Sequence, residues 1–116
     1  NKSLIKKKET KNSFNLLKKG KFRPDGIIDL HGYKLNNGKI KLQDYILDAY
    51  EKNLRNILII TGKGHKNTGV LKKEVPTWLN EKEIKVFLID FEIAPNNFGG
   101  EGALLVRIKN KQKNLI

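Results

Sequence analysis

A chain of 116 residues, 38% hydrophobic, 31% charged and free of cysteine, is long enough for one core and too short for two, and it cannot build a disulfide framework or a thiolate metal site. No apolar stretch approaches the roughly 18 residues that cross a bilayer, and the lysine-rich start lacks an apolar signal core, so no membrane partner is expected and the cytoplasm is the expected compartment. The formal charge of +12 points instead to a polyanionic partner, nucleic acid first.

That charge is unevenly placed. Residues 1–24 hold nine basic side chains against Glu9, a net +8, which leaves +4 for the other 92 residues. This stretch reads as a basic, partly disordered N-terminal arm whose sparse apolar set (Leu4, Ile5, Phe14, Leu16, Leu17) supports at most a loosely docked helix. Lysines beside phosphates release condensed counterions, which suits such an arm to nucleic acid; the bland alternative is a solvated run in a chain rich in lysine throughout. The sequence starts without Met, so a longer natural amino terminus is expected.

Pro24 and Gly26 close the arm, and a domain over residues 25–110 follows, with a C-terminal tail at 111–116. The run Gly26–Leu30 is short and β-branched, and Gly32 ends it, which predicts a buried strand closed by a turn. Side chains alternate along a strand, so Ile28 and Leu30 point one way while Asp29 and His31 share the other face. An acid and a histidine paired at a strand end need a reason.

Leu42, Tyr45, Ile46, Ala49, Tyr50 and Leu54 fall on one face of an amphipathic helix. Asn56–Thr61 reads as a second buried strand running into the glycine-rich loop "GKGHKNTG". Leu71, Val75, Trp78 and Leu79 repeat the helical spacing, with Pro76 expected to kink that helix or to sit near its first turn. A strand at Lys85–Glu92, the loop "IAPNNFGGEG" and a last strand at Ala103–Lys109 complete the pass. The order β-α-β-α-β-β defines an α/β fold. Strand-helix-strand units imply parallel pairing of the first three strands, and the closing pair reads as antiparallel, giving a mixed four-stranded sheet. Two helices suffice to cover one face, so a two-layer sandwich is expected, with Asp29 and His31 on the open face or its rim. The carboxyl ends of three parallel strands would bring together Asp29 to Gly32, Thr61 to His65 and Phe98 to Gly102.

The chemistry of these segments is specific. Gly62 and Gly64 let backbone N–H groups face an anion and Lys63 adds a point charge, so this loop suits a phosphodiester; the alternative is a plain turn. The Walker pattern is absent, which argues against a nucleoside triphosphatase. The His31 imidazole can take a proton from a nucleophile or give one to a leaving oxygen, with Asp29 orienting it. The competing reading is a histidine bonded to a backbone carbonyl. His65 is a weaker candidate in the same loop, Glu101 a further base or ligand, Phe98 a stacking platform and Trp78 a packing residue. The cofactor is unknown: a divalent metal is possible, but no ligand cluster supports it, and no metal site is assigned.

Taken in order and spacing, "IIDLHG", "ITGKG", "GVLKKEVPTWL" and "GGEGALLVRI" resemble the Smr (small MutS-related) domain, over about residues 22 to 110. The resemblance implies a two-layer α/β sandwich similar to the C-terminal domain of translation initiation factor three. It also implies a nicking or RNA-cleaving endonuclease, or a nucleic-acid-binding module, since members act on DNA in recombination or on RNA at stalled ribosomes. The family's catalytic D-L-H falls on Asp29, Leu30 and His31, its T-G-K-G on Thr61, Gly62, Lys63 and Gly64, and its G-G-x-G-A on Gly99, Gly100, Gly102 and Ala103. Where members carry a Ser or Thr cap followed by Glu-Ala, this chain has Lys34 and "LNNGK", so the cap is expected at Asn36, with Gly38 weakening the first turns. No mismatch-recognition ATPase region is present, so a stand-alone form is expected. The reading is an endonuclease with Asp29 and His31 as the catalytic pair and Thr61, Gly62, Lys63, Gly64, His65, Gly99, Gly100 and Gly102 holding DNA or RNA. The alternative is a non-catalytic, ribosome-associated module of the same fold, and the oligomeric state stays unassigned.

Overall fold

Two strands hide apolar side chains on both faces, and these become the middle of the sheet. The computed structural model describes residues 23–62 and 69–114. Its strands are β1 (Gly26–Asp29), β2 (Asn56–Ile60), β3 (Leu88–Ile93) and β4 (Ala103–Ile108). The helices are α1 (Leu35–Glu51), α2 (Gly69–Leu79), α3 (Lys82–Lys85) and α4 (Lys111–Asn114). The sheet order is β1-β2-β4-β3. β1 and β2 pair in parallel, while β4 lies antiparallel to both β2 and β3.

The first three strands therefore run in one direction, as the sequence reading requires, but β2 and β3 do not pair. β4 is inserted between them because all six of its residues are buried, and a strand apolar on both faces belongs at the centre, with neighbours on each side. The third strand also starts later than Lys85. Residues 82–85 form a helical turn that buries Ile84, and Ile84 N–H donates to Glu81 O (3.0 Å). The expected 111–116 tail carries the short helix α4, with Lys111 ion-paired to Glu51 of α1.

The helices cover one face. Ile28, Leu30, Ile57, Ile59, Val106 and Ile108 from the sheet pack against Leu42, Ile46 and Ala49 of α1 and Leu71, Val75, Trp78 and Leu79 of α2. Each fully hidden Leu or Ile contributes about 1.5–3 kcal/mol, which makes this layer the main source of stability. The opposite face is not bare: Leu58, Ala94, Ala103 and Leu105 form a second cluster, with Ile60 and Phe98 packed against it. Arg107 lies there too, with its Nε donating to Asp90 Oδ1 at 2.7 Å. Asp25 ties the layer's lower edge, its Oδ2 accepting the backbone N–H of Arg55 (3.0 Å) and Asn56 (2.9 Å).

α1 departs from the expected cap. Lys34 precedes the helix in an extended conformation (φ −71°, ψ 153°) and no side chain caps the turn, so Asn36 lies inside it. The helix stops at Asn53, whose φ of 60° is the left-handed conformation that Asn tolerates and that ends helices. Pro76 is the eighth of eleven residues of α2, well past the first turn, where its missing N–H leaves the Lys72 carbonyl without its usual donor.

Gly38 is buried, and a methyl there would meet Leu71 Cδ2 at 3.5 Å, Tyr33 Cβ at 3.5 Å and Trp78 Cη2 at 3.7 Å. Those are ordinary contacts, so the space is ready for a side chain. Gly38→Ala should raise stability by about 1 kcal/mol and Tm by about 4 °C, read by thermal denaturation; an unchanged or lower Tm would show that the helix cannot take the methyl. Among the described residues no helix is long and apolar enough to cross a membrane. The N-terminal arm lies almost wholly outside the described residues.

Candidate active site

The end of β1 is held by its backbone. Leu30 N–H donates to Ile60 O (2.8 Å), and the Leu30 side chain is completely buried. Alternation then sends Asp29 and His31 outward. Tyr33 N–H returns to Leu30 O (3.0 Å) with Gly32 at φ +82°, the positive value that a type II turn needs at its third position. The strand thus ends in a tight turn that carries His31 at its second position.

One carboxylate oxygen organises this turn. Asp29 Oδ1 accepts the His31 backbone N–H at 3.0 Å and stands 2.6 Å from His31 Nδ1. A carboxylate only accepts, so the contact assigns the proton to Nδ1 and leaves the Nε2 lone pair for a reacting group. The side chains are 63% and 47% exposed for His31 and Asp29, and an exposed pair of this kind contributes at most about 1 kcal/mol. The fold does not depend on it. What the pair determines is ring orientation and tautomer, the two properties a proton-transfer residue needs.

The glycine segment of β4 joins the same edge. Asp29 registers with Ile60, and Ile60 with Ala103. One step beyond, Thr61 N–H and Gly62 N–H both donate to Gly102 O, at 2.8 and 3.0 Å. Buried Thr61 adds its hydroxyl, 3.3 Å from both Gly62 O and Gly102 O. Gly99 and Gly100 have φ of +110° and +52°, and a Cβ on Gly100 would lie 3.0 Å from Asn96 Oδ1. The turn itself demands glycine there.

Asp29, His31, Thr61, Gly62, Gly99, Gly100 and Gly102 are thus brought to one edge of the sheet. Lys63, Gly64 and His65, the centre of the expected phosphate cradle, lie outside the described residues. Glu101 is exposed and 3.3 Å from Lys72 Nζ of α2, so its charge is already matched. Phe98 is half-buried against the second cluster, which takes up ring surface that stacking would use. Trp78 is core. Among the described residues no group of three or more His, Cys, Asp or Glu could hold a metal ion.

Sequence reasoning passed over Tyr33. Its ring is exposed beside the turn, with Lys41 Nζ 5.9 Å from the ring centroid, and it walls a recess of about 680 Å³ formed with Leu35, Asn36 and Val70. The signal was present as an aromatic residue two positions after His31. The recess was not legible, because Val70 comes from α2.

The Smr domain family matches residues 28–109. The chain is 36% identical over 93 residues to ribosome rescue factor SmrB of Shewanella sp. (strain ANA-3), covering 79% of this chain and 49% of that protein. It is 35% identical over 92 residues to the SmrB of Shewanella oneidensis, with the same coverage. The chain therefore spans about half the length of these curated relatives. Among solved structures, YdaL, a stand-alone small MutS-related protein from Escherichia coli, superposes with a TM-score of 0.71 at 25% identity, over 84% of this chain and 75% of that one. The Smr domain of Thermus thermophilus MutS2 shares the fold, with a TM-score of 0.62 at 22% identity, over 72% and 98%.

Proposed function

The chain belongs to the Smr domain family, and from that premise we propose that it is a nucleic-acid-binding, ribosome-associated domain whose Asp29–His31 pair cleaves a phosphodiester bond in RNA. The single observation that carries cleavage is the 2.6 Å contact between His31 Nδ1 and Asp29, held on an exposed strand end where stability gains little from it. The relatives' name, ribosome rescue factor, supports RNA over DNA and the cytoplasm as the setting.

In this reading His31 Nε2 takes the proton from an attacking hydroxyl. That oxygen bonds to phosphorus as the bond from phosphorus to the leaving oxygen breaks, the leaving oxygen takes a proton from water, and Asp29 stabilises the imidazolium, which afterwards returns its proton to solvent. RNA supplies its own nucleophile in the 2′-hydroxyl. Lys63 is the point charge for the phosphates, with Gly64 and His65 next to it in sequence and the N-terminal arm as a second electrostatic contact, while Thr61, Gly62, Gly99, Gly100 and Gly102, whose N–H groups all donate within the chain, shape the edge of the sheet instead of binding an anion directly.

The second reading, a ribosome-associated module that binds without cutting, is the one the relatives' names favour, since rescue does not name a cleavage. Labelled single-stranded RNA, duplex DNA and branched DNA, incubated with and without EDTA, separate the two. RNA cut to 2′,3′-cyclic phosphate ends supports the His31 mechanism. Intact nucleic acid beside measurable RNA or ribosome binding leaves the binding module as the function.

A further inference from the structure

We propose that the recess beside His31 is a nucleobase pocket, in which the base flanking the scissile phosphate stacks on Tyr33. The inference rests on the reading of Asp29 and His31 as the cleavage site and names how substrate is seated there. Two residues of chain span at most about 7 Å, so Tyr33 lies within one nucleotide's reach of His31.

The chemistry of the walls selects the occupant. The recess of about 680 Å³ falls within the roughly 300–1,000 Å³ of small-ligand pockets. Tyr33, Leu35 and Val70 are 37%, 39% and 44% exposed, apolar surface that the core leaves uncovered. Asn36 and Asn37 on the rim carry amides able both to donate and to accept at a base edge. Among the described residues no acidic side chain lines the recess, whereas Lys34 lines it and Lys41 stands over the Tyr33 ring. Lys39 and Lys72 are paired to Glu81 and Glu101; among the described residues Lys34 and Lys41 form no ion pair. An aromatic platform with one lysine over its ring and another on the wall of the recess suits a flat base on a phosphate backbone.

The test uses the full chain carrying His31→Ala throughout, so that the RNA stays intact, and titrates a labelled 12-nucleotide single-stranded RNA at constant salt. Adding Tyr33→Ala should weaken binding roughly 5- to 100-fold, the worth of one stacked base, while Tyr33→Phe stays within about twofold. Replacing one base by an abasic site should cost the same factor, and should cost nothing once Tyr33 is Ala. The pocket is overturned if Tyr33→Ala binds RNA as tightly as Tyr33, or if every abasic penalty persists in Tyr33→Ala. Tyr33-dependent binding by a wild-type chain that never cuts would support the pocket and refute only the cleavage. A chain that binds no RNA refutes both, and a peptide competing at Tyr33 with no RNA affinity would assign the recess to protein.

Discussion

His31→Ala is expected to lower RNA cleavage by roughly 10²-fold or more, with RNA affinity and melting temperature close to those of the wild type. The fold tolerates the change because His31 ends a strand on the exposed side, and among the described residues its side-chain partner is Asp29, itself exposed. In the proposed reading the phosphates are held elsewhere, so binding and cutting should separate. Asp29→Asn sharpens the result. The amide keeps the carboxylate's shape and still offers an oxygen to the His31 backbone N–H, but it removes the charge that stabilises an imidazolium. Loss of cutting at an unchanged Tm would mark a catalytic pair. Normal cutting by both variants would make the pair a turn element and move the chemistry off this strand. Lys63→Ala provides the contrast, since a lysine that touches substrate before and during reaction weakens binding and cleavage together.

Removing residues 1–21 takes away eight lysines and Glu9, and should weaken nucleic-acid binding by about 10²-fold at low salt while leaving the folded domain in place. The reason is counterion release: the slope of log affinity against log salt falls by about 0.7 for each lysine that neutralises a phosphate on a single strand, and about 0.9 on a duplex. The readout is therefore the slope as well as the affinity. The same slope with and without the arm would show that its charges are merely solvated and that contact is confined to the domain. Retention of the slope together with loss of ribosome binding would assign the arm to a protein surface instead.

Several features were legible in local pattern. Alternation over Ile28, Asp29, Leu30 and His31 placed the acid and the histidine together because a strand has a period of two, whatever it pairs with. Helical spacing picked out Leu42, Ile46, Ala49, Leu71, Val75, Trp78 and Leu79 as buried, for the analogous reason at a period of 3.6. Glycines at 32, 62, 99 and 100 marked turns, and all four have positive φ. The same local signals misled at Lys85, read as the start of the third strand, because the charged residues around Ile84 carry too little periodicity to distinguish a helical turn from a strand start.

Partners were not legible. Periodicity reports which face of a segment is apolar and is silent on which neighbour covers it, so the insertion of β4 between β2 and β3 followed only from packing a doubly buried strand at the sheet's centre. The hydrogen bonds from Thr61 and Gly62 to Gly102 join residues about 40 positions apart, and the wall of the Tyr33 recess needs α2 to arrive beside α1. Sequence by itself determined the strand-end acid–histidine pair, the helix faces and the basic charge of the first 24 residues, because each is written within a few consecutive residues. The tertiary structure alone decided the strand order, the matching of Glu101 by Lys72, the burial of Gly38 and the recess beside His31, because each depends on side chains distant in the chain meeting across one core.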